Sequence, residues 1–230
     1  MAKAERSMQQ KAQRRQNVAD QALSLRDRAY LEIKRRINRL DYRPGAYINE
    51  AQISRQLKIG RTPVHQALDR LMLEGLVQVI PRKGVVVQSI SLDQVLHILE
   101  ARLVNEPQCA GLAVERATRD DIARMQALLA TAGPLVRARD REKLMNLDRA
   151  FHRLISNAAH NSILADILTM LHERSLRFWF IAFGDDLQLS RVDDEHRAVL
   201  AAIEQGNRAE AEAAMRTHIE SSRNHIMRAI

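Results

Sequence analysis

The stretch from residue 53 to residue 87, ISRQLKIGRTPVHQALDRLMLEGLVQVIPRKGVVV, limits the fold more than any other part of the chain. It holds two short helix patterns joined by a tight turn, then two β-prone runs joined by a basic turn. Ile53 and Leu57 share one face of the first helix, and Asn49 ahead of them can cap it by accepting a backbone N–H. Lys58-Ile59-Gly60 reads as the turn, with Gly60 the residue free to take a left-handed conformation. Pro63 falls in the first turn of the second helix, where its missing N–H has no helical partner to lose. Val64, Leu68, Leu71 and Met72 recur at helical spacing and predict the buried stripe, with Gly75 ending the helix. Thr62, His65, Gln66 and Asp69 lie off that stripe, and Arg61 stands at the helix start. Residues 76–80 and 85–88 predict strands, and Pro81-Arg82-Lys83-Gly84 turns between them with two positive charges.

Helix, turn, helix and basic hairpin make a winged helix-turn-helix, a build that sets its second helix in the major groove of DNA. Charge agrees independently. Residues 1–89 hold 18 Lys and Arg against 8 Asp and Glu, a surplus of ten, whereas residues 90–230 hold 18 against 20. The whole excess of +8 therefore sits on the first part, as neutralising phosphates requires. An RNA-binding protein shares such a bias but displays aromatics for base stacking, and this half offers Tyr30, Tyr42 and Tyr47 alone.

RTPVHQALDRLMLEGLV followed by PRKGVVV resembles the DNA-binding domain of the GntR family of bacterial transcription regulators over roughly residues 25–89. The resemblance implies base contacts from Arg61, Thr62, Pro63, His65 and Gln66, and wing contacts from Arg82 and Lys83. It also marks departures. His65 and Gln66 stand where that family usually has Arg and Glu, Lys58 where it has a turn glycine, and Ala51 where Arg is frequent, so an unusual operator is expected.

The remaining sequence predicts an all-α bundle, with helices near residues 91–116, 119–132, 141–159, 162–182, 192–205 and 207–229. Gly133-Pro134 reads as a break and Gly184-Asp185-Asp186 as a loop. Aromatic residues are only 3% of the chain, which favours packed helices over a β-sandwich. The domain plan is then a basic tail over 1–24, the winged helix over 25–89 and an effector-binding, dimerising bundle over 90–230. A single cysteine, Cys109, and the lack of a long apolar run point to a reducing cytoplasm.

Within the bundle, Asp148 and His152 are i, i+4 in LDRAFHRLI, beside the apolar stripe of Leu144, Leu147, Phe151 and Ile155. His196 shares a face with Val199, Leu200 and Ile203, and His218 with Met215, Ile219 and Ile226. One carboxylate and three imidazoles from three helices suit a divalent transition metal and leave positions open for water or ligand. The strings DRAFH, EHRAVLAAIEQGN and MRTH resemble the FadR-type effector domain of one GntR subgroup over roughly residues 91–229. That resemblance carries the metal-ligand roles to Asp148, His152, His196 and His218, with zinc the default and nickel or manganese the alternatives. It further implies a small carboxylate effector beside the metal, with Arg102 as its clamp, and a homodimeric repressor. His225 is a further candidate ligand, whereas His97, His160 and His172 are expected at exposed or boundary positions. Trp179 and Phe180 are expected in the core, and Arg102 can alternatively pair with Glu106 at the surface. The rival reading is a metal-dependent hydrolase with an appended nucleic-acid-binding domain. It lacks a general base, since Glu195, adjacent to His196, is expected to point elsewhere.

Overall fold

The computed structural model describes residues 23–80, 84–89, 91–181 and 186–229, without the side chains of residues 177, 180, 181, 186, 187 and 229. Almost all of the basic tail, the wing tip with Arg82 and Lys83, and Gly184-Asp185 thus lie outside the described residues. The chain divides into two compact units, residues 1–89 and 90–230.

In the first unit, α1 (Leu25–Asn38) begins at Ser24, whose hydroxyl accepts the Asp27 N–H. It is followed by β1 (Tyr47–Ile48), α2 (Glu50–Leu57), α3 (Arg61–Leu73), β2 (Val77–Ile80) and β3 (Gly84–Val87). Asn49 caps α2 by accepting the Gln52 N–H. The left-handed residue of the turn is Lys58, at φ 54° and ψ 38°, and not Gly60, which is extended at φ −58° and ψ 160°. Gly60 is held there as the N-cap of α3, while the Ser54 hydroxyl donates to the Ile59 carbonyl at 2.6 Å and fixes the turn around Lys58. Such a conformation costs a non-glycine residue roughly 1–2 kcal/mol.

Along α3 the buried stripe is Val64, Ala67, Leu68 and Leu71. Met72, expected within it, is 40% exposed, because eight residues after Val64 the helix has turned it off the stripe. Gly75, at φ 72°, ends the helix as expected. Glu74 ties α3 to α1: its carboxylate accepts from Lys34 Nζ and the Tyr30 hydroxyl, both at 2.7 Å. The sheet order is β1-β3-β2, antiparallel throughout, with Val77 opposite Val87 and Tyr47 opposite Val86. β1 is too short, at two residues, for its alternation to register in a sequence.

The second unit is helical: α4 (Leu92–Arg116), α5 (Arg119–Leu129), α6 (Ala132–Arg137), α7 (Arg141–Ala158), α8 (Ser162–Ile181), α9 (Asp186–Glu204) and α10 (Arg208–Ala229). Ser91 and Gln94 form a capping box at the start of α4, and Thr118 with Asp121 does the same for α5. The break expected at Gly133-Pro134 is instead the first turn of α6, where a proline loses no hydrogen bond. α9 starts six residues before the expected position. Leu189, Val192, His196, Val199 and Ile203 carry one inward face back along it, and Leu189 is already buried.

α4 runs against α10, α8 and α7, and α9 lies along α10. Their shared core includes Leu99, Ala113, Phe151, Ile155, Val199, Met215 and Ile219, and α5 adds Met125. Among the described residues no helix is long and apolar enough to cross a membrane.

Candidate functional site

The start of α3 presents its side chains outward. Arg61, Thr62, His65 and Gln66 are exposed and Pro63 is half-buried. Gly60 supplies no side-chain cap, so the first N–H groups of α3 carry the helix's positive end toward whatever lies in front of it. His65 is flanked by acids: its Nδ1 is 3.0 Å from Glu50 Oε1 and its Nε2 is 3.8 Å from Asp69 Oδ2. The hydrogen bond to Glu50, helped by the charge of Asp69, raises the His65 imidazole above its ordinary range.

The bundle holds a buried polar centre. α7 contributes Asp148 and His152, α9 His196 and α10 His218, all buried, and one donor atom from each lies within 4.8 Å of every other. His152 Nε2 is 3.1 Å from His218 Nε2 and 3.7 Å from Asp148 Oδ1, and His196 Nε2 is 3.3 Å from the same oxygen. A tetrahedral ion with bonds of about 2.0–2.1 Å sets neighbouring donors roughly 3.3 Å apart. Both oxygens of Asp148 and both nitrogens of His196 are buried without a hydrogen-bond partner. His152 Nε2 and His218 Nε2 are placed to hydrogen-bond each other, whereas the Asp148 and His196 atoms crowd against them without being aligned to bond, so the set faces a common point. The donor set thus fits a divalent ion.

A second layer surrounds these four. His218 Nδ1 donates to Glu195 Oε2 at 2.9 Å, which leaves the lone pair on Nε2 directed inward. Burial pushes the His218 imidazole down to about 4, against the raising effect of Glu195, so the ring is neutral at pH 7. Glu106 Oε2 is 2.6 Å from His152 Nδ1, off the alignment of a hydrogen bond. Glu106 also pairs with Arg102, whose Nη1 donates to Ser175 Oγ at 3.3 Å. Burial by itself raises the Glu106 carboxyl, but Arg102 and His152 outweigh it and hold it well below the carboxylate range. Asp148 is likewise kept ionised against its burial, by His172, His196 and the charge of His152.

Several expectations change here. His172 is buried, not peripheral: its Nε2 is 3.2 Å from Asp148 Oδ2 and its ring lies 4.8 Å from that of His152. The helical spacing Leu168, His172, Ser175, Leu176 puts it on the inward face of α8, a signal legible in the sequence. Glu195 points at His218 rather than away, because α9 and α10 pack side by side. The Arg102–Glu106 pair is wholly buried rather than at the surface, and Arg102 Nη2 alone of its three nitrogens has no partner. Trp179 is half-buried and lines a cleft beside Asp148 and His196 instead of filling the core, and the Phe180 side chain lies outside the described residues. His97 and His160 are exposed as expected. His225 is not among the converging donors.

Two family models match the chain. One, described as bacterial regulatory proteins of the gntR family, matches residues 25–87, and the other, the FCD domain, matches residues 97–221. The Nta operon transcriptional regulator of Aminobacter aminovorans is 28% identical over 190 residues, covering 82% of this chain and 88% of that protein. The transcriptional regulator LutR of Bacillus subtilis is 27% identical, covering 78% and 90% of the two chains. In the solved structure of McbR/YncC from E. coli, 98% of that chain superposes on 90% of this one with a TM-score of 0.80 at 22% identity.

Proposed function

This chain belongs to the gntR family of bacterial regulatory proteins and carries an FCD domain, and on that premise we propose that it is a metabolite-responsive repressor. It is a transcription regulator with a helix-turn-helix, as its relatives are, and not an enzyme. In the proposed organisation residues 1–24 are a basic tail, residues 25–89 read DNA, and residues 90–230 bind the effector and pair two copies. Arg61, Thr62, Pro63, His65 and Gln66 meet base edges, and Arg82 and Lys83 of the wing meet the backbone. A homodimer in the cytoplasm presents two such heads to a pseudo-palindromic operator.

The observation that carries the sensing half is the convergence of the buried donors Asp148, His152, His196 and His218, with both Asp148 oxygens and both His196 nitrogens left without a hydrogen-bond partner, in the effector unit of a DNA-binding protein. They hold a divalent ion, zinc by default and nickel or manganese as alternatives. When bound, the ion supplies a positive centre that accepts a carboxylate oxygen of a small organic acid. Asp148 provides one negative charge, so the ion keeps net positive charge for that acid. Arg102 enters this reading through Nη2, the nitrogen its buried partners leave open. The acid alters operator binding only by favouring one of two arrangements of the protein.

Selection from a randomised duplex library, followed by titration of the full chain on the selected site, tests the DNA half. Arg61→Ala is expected to weaken the selected site by about 1–3 kcal/mol, roughly 5- to 150-fold, and to relax preference at the base it contacts. Failure to enrich any sequence, with no salt dependence of binding, sinks the DNA half. For the regulatory sign, a reporter driven from a promoter carrying the selected site is expected to rise when the protein is removed.

The second layer has its own expected outcome. Glu195→Ala leaves the His218 ring free to turn and removes the carboxylate that orients it. Zinc affinity is expected to fall about 10- to 100-fold, with Glu195→Gln between the two because it can still accept from Nδ1. Competition with a fluorescent chelator measures it; unchanged affinity in both variants excludes an orienting role.

A further inference from the structure

We infer that the effector is a short monocarboxylic acid with an apolar body and at most two hydroxyl groups, rather than a polyhydroxylated sugar acid. The inference rests on the metal-and-acid reading above and narrows it.

A cleft with a free volume of about 50 Å³ opens directly on two of the four donors, Asp148 and His196. Among the described residues its remaining walls are mostly hydrocarbon: Val136, Leu144, Leu147, Leu189, Val192 and the Trp179 ring surround it, from α6, α7, α8 and α9. A water needs roughly 10–15 Å³ of such space, so the cleft takes a group of three or four heavy atoms beyond those at the ion. An acid whose carboxylate lies at the donors has its chain in this apolar space.

Among the described residues the polar atoms of the lining are few, and their chemistry limits what the chain can carry. Trp179 Nε1 is a buried donor without a partner. Asp193 pairs with Arg197 through Oδ2 at 3.1 Å and keeps Oδ1 buried and unpartnered. Gln188 also lines the cleft and has an interaction of its own. One hydroxyl on the ligand can therefore accept from Trp179 and a second can donate to Asp193. Three hydroxyls cannot all be satisfied against leucine and valine walls, and a buried hydroxyl without a partner weakens binding. A methylene there strengthens it.

Trp179 is the chain's one tryptophan, so its emission reports the cleft directly. The test uses the full-length protein loaded with zinc, titrated with acetate, butyrate, 3-hydroxybutyrate and threonate, with Trp179 fluorescence and calorimetry as readouts. Each methylene from acetate to butyrate is expected to tighten binding about fourfold. 3-Hydroxybutyrate is expected to bind as butyrate does, and threonate, with the same four carbons, at least tenfold more weakly. Leu144→Gln and the isosteric Val192→Thr are each expected to weaken butyrate severalfold while leaving zinc affinity unchanged.

Threonate binding as tightly as butyrate, or affinity independent of chain length, overturns the inference and leaves the metal-and-acid reading standing. Silence toward all four acids with zinc bound overturns both.

Discussion

Replacing His218 by alanine is expected to lower zinc affinity by a few hundredfold and to erase the thermal stabilisation that zinc confers. Four-ligand zinc sites contribute about 10–16 kcal/mol at neutral pH, so one ligand accounts for roughly 3–4 kcal/mol. At a thousandfold excess over the dissociation constant, bound metal stabilises a fold by about 4 kcal/mol. For a helical unit of this size that is on the order of 10 °C in melting temperature. Asp148→Ala and His152→Ala are expected to behave alike, whereas His97→Ala, at an exposed position of α4, leaves both quantities unchanged. Elemental analysis of purified protein and melting curves with and without chelator check this. Equal zinc content in wild type and in all three ligand variants sinks the assignment. The metal-free protein carries a matching acid sensitivity. His218 titrates near 4 when folded and near 6.5 when unfolded, so the unfolded chain takes up the proton first as pH falls. The stability tied to its neutral ring is complete above pH 6.5 and is lost on acidification through pH 4.

Arg102→Ala is expected to destabilise the helical unit by about 3–5 kcal/mol, the cost of leaving Glu106 ionised and buried without its partner. The guanidinium is fully buried, so solvent cannot replace it. A double variant, Arg102→Met with Glu106→Leu, removes both charges and is expected to recover most of that loss, because a well-packed apolar pair needs no compensation. Urea denaturation of the three proteins measures the difference. A loss below 1 kcal/mol in the single variant would mean that water reaches the pair. The single variant is also expected to bind zinc more weakly, since Glu106 faces His152 Nδ1 from the other side of that ring.

What the sequence discloses divides along a physical line. Local chemistry is legible: Asn49 and Ser91 as caps, Gly75 as a terminator, and the inward face of α7 that carries Asp148 and His152 together. Side chains that depend only on their own helix can be placed by spacing. Partners supplied by another helix cannot. Glu195 and His218 are 23 residues apart and meet only because α9 and α10 lie side by side, so a reading confined to α9 directs Glu195 elsewhere. Arg102 and Glu106 are correctly paired by their i, i+4 spacing, yet nothing in that spacing tells that α8 covers them. The turn at Lys58 has a different cause. Glycine preference points to Gly60, but Gly60 is needed extended at the head of α3, and a neighbouring hydroxyl stabilises lysine in the left-handed well. Trp179 escapes because a cleft is a property of four helices at once.

The four donors arrive late in the chain, at positions 148, 152, 196 and 218, whereas the head that carries α3 is complete by residue 89. Synthesis proceeds from the N-terminus, and domains fold as units in that order. During translation a folded helix-turn-helix unit therefore emerges from the ribosome well before the four donors can come together. A truncated message, or one stalled anywhere before its last turns of helix, yields a chain that lacks His218 of the proposed donor set while its helix-turn-helix is already formed.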